Sequence, residues 1–194
     1  MARGSILHLQ SNPWYDVPIR TWHMTQRTII GIDNGCTGSI GVISPDREPV
    51  FILTPSFKGQ DYTKSKKTIS RIDAPELQRM LREYTEGHES NSIAYVERPM
   101  INPMRFSSSI VAARAYEATI TVLETLRIPY QPVDSKEWQR YLLPSSGKKG
   151  TDSATLKKES MDIGIRLFPQ YRELITKHKD ADGILMAYVF AQKG

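Results

Sequence analysis

The first half of the chain alternates short apolar runs with turn residues. Runs rich in Ile, Val and Phe predict strands at residues 28–33, 39–43 and 50–54. Gly, Asn and Pro separate these runs, and they are typical of tight turns. Short connections of this kind favour an antiparallel meander. Residues 57–70 are polar and basic and have no apolar period, so a loop is predicted there.

The second half alternates helical and extended patterns. Asp73 is the expected N-cap of a helix with Pro75 in its first turn. Serines are expected to cap a long helix at residues 107–126. The other predicted elements are strands at 92–97 and 128–133 and helices at 135–143, 153–168 and 180–193. A meander followed by helix–strand alternation predicts an α/β fold, with a mixed five-stranded sheet and helices on both faces.

Composition narrows the possible partners. With 26 Lys and Arg against 21 Asp and Glu, the net charge is +5, which fits a polyanionic partner. A single cysteine, Cys36, excludes an internal disulfide and a zinc cage built of thiolates. No apolar run reaches about 18 residues, so no membrane span is predicted. Two segments concentrate the basic residues: Lys64, Lys66, Lys67 and Arg71 in one, and Lys148 and Lys149 in a Gly-flanked loop in the other.

The N-terminal segment differs from the rest. Residues 1–26 are irregular in pattern and include Pro13, Trp14, Pro18 and Trp22. We expect an N-terminal arm here, followed by one domain at residues 27–194. The arm lacks the apolar core of a signal peptide. A cytoplasmic protein is therefore predicted, and an organellar targeting segment is the alternative.

Three acids occupy unusual positions. Asp33 ends a strand where the pattern asks for Val or Ile, Glu97 ends another strand, and Asp182 begins an apolar helix. If the two strands are neighbours, the three carboxylates meet at one edge of the sheet and repel one another. A divalent cation would relieve this repulsion, and an oxygen-only ligand set suits Mg²⁺ or Mn²⁺. Taken singly, Asp33 could cap a turn, Glu97 could pair with Arg98 or Arg105, and Asp182 could be an N-cap.

The ordered motifs resemble those of RuvC-type Holliday junction resolvases, which have the RNase H-like nuclease fold. The resemblance covers about residues 28–189, and the phage and organellar branches look closest. It implies that Asp33, Glu97 and Asp182 are the metal-binding acids. A fourth catalytic residue would be Asp180 or His178, and the sequence leaves that choice open. The segments concerned are IIGIDNGCTGSIGVI, AYVERP, PVDSKEWQRYLLP and HKDADGILMAYV.

The resemblance also implies an activity and a substrate. It implies a structure-selective endonuclease that uses two Mg²⁺ or Mn²⁺ ions per site to hydrolyse four-way DNA junctions and leaves 5′ phosphates. A nuclease of the same fold that acts on RNA–DNA hybrids or flaps is the alternative. The symmetry of a junction predicts a homodimer with the long helix at its interface. If a phage encodes the chain, the predicted location is the cytoplasm of the host cell.

Several side chains are candidates for contact with DNA. An apolar wedge is expected in the loop after Glu97, where Phe106 could alternatively staple the next helix. Phosphate contacts are expected from the start of that helix and from the Gly-flanked loop. Trp138 is expected in the core. The candidates are Met100, Ile101, Arg105, Phe106, Ser107, Lys148 and Lys149.

Overall fold

A computed structural model provides the structure of the protein and describes residues 26–60 and 68–193. The described strands are β1 (Thr28–Ile32), β2 (Ser39–Ile43), β3 (Val50–Leu53), β4 (Ser56–Gln60), β5 (Thr68–Ile72), β6 (Ser92–Glu97) and β7 (Tyr130–Val133). The described helices are α1 (Ala74–Thr85), α2 (Phe106–Thr125), α3 (Ser135–Leu142), α4 (Ser153–Leu167), α5 (Arg172–His178) and α6 (Asp182–Lys193). Of the predicted N-terminal arm, only Gln26 lies within the described residues.

The main sheet has five strands in the order β3-β2-β1-β6-β7. β2 is antiparallel to both β1 and β3, whereas β1, β6 and β7 are parallel. The mixed five-stranded sheet predicted from the sequence is therefore confirmed. Its parallel part places the C-terminal ends of β1 and β6 at one edge.

Helices cover both faces of this sheet, as predicted. Ile29 of β1 packs into a core with Trp138 of α3 and most of α6. Ile30, on the opposite face of the strand, packs with Leu77 of α1 and Leu123 of α2. Successive strand residues point to opposite faces, so β1 is buried on both sides. In the described part of the chain no helix is long and apolar enough to span a membrane.

Two glycines bring α6 unusually close to the sheet. Gly31 of β1 and Gly41 of β2 are direct cross-strand partners. A Cβ atom at Gly31 would lie 2.3 Å from the carbonyl oxygen of Gly183, and one at Gly41 would lie 2.2 Å from the Cα of Ile184. The first turn of α6 therefore rests on strand backbone, with no side chain between them. The amide of Gly183 donates to the hydroxyl of Ser39 at 3.1 Å and fixes this end of the helix.

Gly41→Ala should lower the free energy of unfolding by about 3 kcal/mol, near the upper end of ordinary overpacking. The added methyl meets helix backbone, which cannot rotate away as a side chain can. Urea unfolding measures the loss, and Thr121→Ala at an exposed position of α2 is the control, expected within about 0.5 kcal/mol of the parent. A loss below about 1 kcal/mol for Gly41→Ala would contradict the close packing of α6.

Three details differ from the sequence predictions. The predicted loop at 57–70 is wrong at residues 57–60 and 68–70, where β4 and β5 pair antiparallel, and its middle part, residues 61–67, lies outside the described residues. The short helix α5 was not predicted. The serines do not cap α2: its N-cap is Arg105, and the hydroxyl of Ser109 instead closes the preceding loop by bonding both the amide and the carbonyl of Asn102. The N-cap of α1 is confirmed, since Asp73 accepts the amide of Glu76 at 3.2 Å.

Candidate metal centre

Parallel pairing of β1 and β6 brings two of the predicted acids together. Ile32 and Val96 are partners in the ladder. Asp33 and Glu97 follow them directly, so the two acids leave the sheet side by side. The amide of Asp33 also bonds the carbonyl of Ser39 at 3.0 Å, which anchors the start of the following turn to β2.

The start of α6 supplies two more acids. Lys179 adopts a left-handed conformation with φ of 59°, ends α5 and turns the chain toward the sheet edge. Asp180 then accepts the amide of Asp182 at 3.2 Å. Asp180 therefore caps the start of α6, the role that was the alternative for Asp182. The carboxylate of Asp182 lies near that of Asp33 instead. One carboxylate oxygen from each of Asp33, Asp180 and Asp182 lies within 4.8 Å of the others.

Burial and mutual repulsion raise the pKa values of Asp33, Asp182 and Glu97. The pKa of Asp33 is raised well above its usual value, first by burial and then by the charges of Asp180, Asp182 and Glu97. Burial is also the main cause that raises the pKa of Asp182 to about 6 and that of Glu97 to about 7. The positive charge of Lys157 acts in the opposite direction on Asp33 and Asp182. Ionised together, these carboxylates need a compensating cation.

The donor set fits a hard divalent cation. Asp180 is only 4% exposed, and its Oδ2 is buried without a hydrogen-bond partner. A buried carboxylate oxygen without a partner is costly, and a bound cation would satisfy it. All donors in the cluster are carboxylate oxygens, which Mg²⁺ and Mn²⁺ prefer. Asp33, Asp180 and Asp182 can therefore hold a metal ion, with Glu97 beside them.

Two buried hydrogen-bond donors orient the carboxylates of Glu97 and Asp182. The indole N–H of Trp138, a fully buried residue of α3, donates to Glu97 Oε2 at 3.2 Å. The hydroxyl of Ser160, buried in α4, donates to Asp182. The position of Trp138 in the core was predicted, but neither hydrogen bond was. The pattern of α4 gives no signal for Ser160, since a polar residue on a helix is normally exposed.

Trp138→Phe should weaken divalent metal binding about 10- to 100-fold, the usual effect of losing a partner that orients a ligand. Phenylalanine keeps most of the apolar packing but has no N–H for Glu97. Mn²⁺ titration by calorimetry measures the change without any nuclease assay. Phe168→Leu is the control, because it changes another fully buried aromatic side chain of the same core, one that packs edge-on against Tyr188. Equal Mn²⁺ affinity in Trp138→Phe and the parent would contradict the orienting role.

His178 occupies a different place from the acids. Its Nε2 donates to the carbonyl of Thr37 at 2.9 Å, in the turn that follows Asp33. His178 lies at the end of α5. Among the described residues, the group of side chains that could hold a metal ion contains Asp180 and not His178. The geometry therefore favours Asp180 as the fourth acid, whereas His178 secures the turn. The catalytic role of each stays a prediction.

Five of the candidate DNA contacts lie in the loop after Glu97 or in the first turn of α2, which start from the same edge. The loop between β6 and α2 exposes apolar side chains: Met100 is 85% exposed, Met104 92% and Phe106 70%, and Ile101 is exposed as well. Phe106 begins α2, so the alternative in which it staples that helix is wrong. Arg105 and Ser107 flank it at the surface.

The Gly-flanked basic loop is held at its base. The amide and hydroxyl of Ser145 both donate to the carboxylate of Glu159, at 3.1 and 2.6 Å. Lys148 and Lys149 follow and are exposed. Among the described ion pairs, Glu97 pairs with neither Arg98 nor Arg105, and Arg98 instead lies 3.9 Å from Asp134.

Sheet order and flanking helices together define an α/β fold of the RNase H-like class. RuvC of T. thermophilus, solved in complex with a Holliday junction substrate, aligns with a TM-score of 0.52 and 11% identity over 87% of this chain and 96% of RuvC. A Thermus thermophilus RuvC structure aligns at 0.42 and 13%, over 86% and 96% of the two chains. The yeast mitochondrial Holliday junction resolvase Ydc2 aligns at 0.47 and 13%, over 90% and 81%. No protein-family model and no curated protein sequence matches the chain.

Identities this low bear on the fold alone, and only the first alignment exceeds a TM-score of 0.5. That alignment shows that the chain has the RuvC fold. The fold implied by the sequence resemblance is therefore confirmed.

Proposed function

We propose that this protein is a metal-dependent endonuclease that resolves four-way DNA junctions. The observation that carries the proposal is the acidic cluster, in which oxygens of Asp33, Asp180 and Asp182 approach within 4.8 Å. It lies at the C-terminal edge of the parallel strands, on the fold of RuvC. The substrate class is suggested by the junction that T. thermophilus RuvC binds in its solved complex.

The acids would hold two Mg²⁺ or Mn²⁺ ions per site. When bound, such ions supply an activated water and stabilise the leaving 3′ oxygen of an in-line hydrolysis that gives a 5′ phosphate. The side chains supply the geometry. Trp138 and Ser160 hold Glu97 and Asp182 in place, and Asp180 is itself buried. Reaction through a covalent enzyme intermediate is not needed.

Selectivity for a branch point is supported by the exposed apolar loop beside Glu97. Met100, Ile101 and Phe106 are large apolar side chains that are exposed to solvent. Inserting such a side chain between bases costs a few kcal/mol in an intact duplex, and an open branch point lowers that cost. Lys148 and Lys149 would add phosphate contacts that give affinity without sequence preference.

A paired cut requires two active sites, so the proposal includes a homodimer. α2 is the candidate interface, since it follows the exposed loop and leaves Ile110 at the surface. Mass measurement in solution with and without a junction tests the assembly.

Cleavage of a synthetic four-way junction with Mg²⁺ or Mn²⁺, mapped to the nucleotide, tests the function. Nicks placed symmetrically across the branch point, with 5′ phosphates, would support it. An RNA–DNA hybrid and a plain duplex of matched length are the comparison substrates. No cleavage of the junction, or preferred cleavage of the hybrid, would overturn the proposal.

A further inference from the structure

Four hydrogen bonds meet at Asn102, in the exposed loop between β6 and α2. The hydroxyl of Ser109 donates to the Asn102 carbonyl at 2.8 Å and accepts the Asn102 amide at 2.9 Å. That carbonyl also accepts the amide of Arg105 at 2.9 Å. The side-chain oxygen of Asn102 accepts the amide of Met104, again at 2.9 Å. The backbone and the side chain of Asn102 are therefore both held in place.

Ser109 fixes this loop to α2. It lies in the first turn of the helix and is only 8% exposed, whereas its neighbours Ser108 and Ile110 are exposed. A buried hydroxyl on a helix can bond the carbonyl four residues earlier, as that of Thr119 does in α2. The hydroxyl of Ser109 instead bonds Asn102, seven residues earlier. Its bonds therefore set the position of the loop relative to the helix.

Met104 is the apolar side chain that this bonding presents to solvent. It lies in the 3-10 turn Pro103–Arg105, and its amide is the one bonded by the Asn102 side chain. Its 92% exposure is the highest among the large apolar side chains of the described residues. Met100 and Phe106 are exposed close by in the sequence, and a group of exposed apolar side chains marks a site of interaction. A bonded backbone below an unburied apolar tip therefore indicates a contact with a partner outside the chain.

We propose that Ser109 is a positioning residue that, through Asn102, holds Met104 ready to contact the bases of a DNA branch point. The inference rests on the proposed function, because it assigns the selectivity of that function to named residues. Ordering a mobile loop on binding costs conformational entropy. A loop that is already ordered avoids this cost, so more of the apolar contact is available as affinity. The contact also selects, because the stacked base pairs of an intact duplex offer Met104 no open base face.

The chemistry of methionine fits this contact. Its side chain is unbranched, fills irregular apolar gaps and makes favourable contacts with aromatic rings. Apolar side chains that enter DNA do so between base steps, which must first unstack. At an open branch point that stacking is interrupted, so the aromatic faces of the bases are accessible. A methionine on a fixed backbone therefore meets a surface that a duplex does not offer.

Binding to a four-way junction and to a plain duplex of matched length tests the role of Ser109. Both affinities are measured by fluorescence anisotropy in EDTA, so that no cleavage occurs. Ser109→Ala removes the hydroxyl and releases the loop. We expect the loop then to keep the required conformation about a tenth of the time, so the junction affinity falls about tenfold. The duplex affinity, which depends on phosphate contacts, should stay within about twofold of the parent. A general loss of folded protein would lower both affinities alike.

Met104→Ala tests whether the loop acts through this side chain. It should weaken junction binding at least as much as Ser109→Ala does and leave duplex binding unchanged. The two changes should not add, so the double variant Ser109→Ala with Met104→Ala should bind the junction as Met104→Ala does. Residues that act as one unit show this non-additivity, whereas independent residues add. The fluorescence of 2-aminopurine at the branch point should rise on binding of the parent and rise less with either variant.

Thr119→Val is the matched control. It removes another buried hydroxyl of α2, one whose bond stays within the helix, and keeps a side chain of similar size. Its affinities for the junction and for the duplex should equal those of the parent.

The outcomes separate the two proposals. Parent-like junction affinity in Ser109→Ala or in Met104→Ala would overturn the role of Ser109, and so would equal losses for junction and duplex or fully additive losses in the double variant. If the parent binds junctions selectively but does not cleave them, the proposed function fails, and the binding comparison still decides the role of Ser109. If the parent binds junction and duplex equally, the role of Ser109 fails, and the mapped cleavage alone decides the proposed function.

Discussion

Asp33→Asn should lower the rate of junction cleavage by at least about 10²- to 10³-fold, the scale expected when one electrostatic stabiliser of a phosphoryl transition state is lost. Asp33 follows β1 directly, and its carboxylate lies within 4.8 Å of those of Asp180 and Asp182. Asparagine keeps the shape of the side chain but offers a metal ion only one oxygen, which is uncharged. Single-turnover cleavage at saturating enzyme measures the chemical step apart from binding.

The same variant should still bind the junction. Removing one negative charge reduces repulsion of the phosphate backbone, so the affinity in EDTA should be equal to or higher than that of the parent. Asp162→Asn is the control, because Asp162 is exposed on α4 and its loss changes the net charge identically. Cleavage by Asp33→Asn at more than about a tenth of the parent rate would contradict the assignment of Asp33 as a metal ligand.

The sheet and three of the four acids could be predicted because their signals are local. β1, β2 and β6 are short apolar runs bounded by turn residues, and Asp33 and Glu97 are the polar residues at which two of those runs end. Parallel neighbours place such ends at one edge. The predicted convergence of Asp33 and Asp182 is observed. The pair Gly31 and Gly41, which lets α6 approach the sheet backbone, was not predicted.

The remaining features depend on tertiary contacts that no local pattern encodes. β4 and β5 pair only with each other and expose most of their residues, so they show no clear apolar alternation. The choice between Asp180 and His178 depended on where the last helix starts. Lys179 is left-handed, so His178 and Asp182 lie on different helices and the argument from helical spacing does not apply. The bond from Ser160 joins residues 22 positions apart.

The metal-free protein should lose stability as the pH rises from about 4 to about 7. Burial raises the pKa of Asp182 from 3.8 to about 6 and that of Glu97 from 4.5 to about 7, and Asp33 shifts in the same direction. The folded state therefore binds more protons than the unfolded state in this range, and stability falls as pH rises. One pKa unit corresponds to about 1.4 kcal/mol, so the combined loss should amount to several kcal/mol.

Metal binding should reverse that loss, and Asp33→Asn should reduce it. A cation that binds only the folded state adds stability, by about 2.7 kcal/mol at a concentration one hundred times its dissociation constant. Thermal unfolding in EDTA at pH 5 and pH 8 should show Asp33→Asn gaining on the parent as the pH rises, because one buried charge is absent. Added Mn²⁺ at pH 8 should raise the melting temperature of the parent and have little effect on Asp33→Asn. If the parent in EDTA is equally stable relative to Asp33→Asn at both pH values, the acids do not repel one another in the folded state, and the need for a compensating cation disappears.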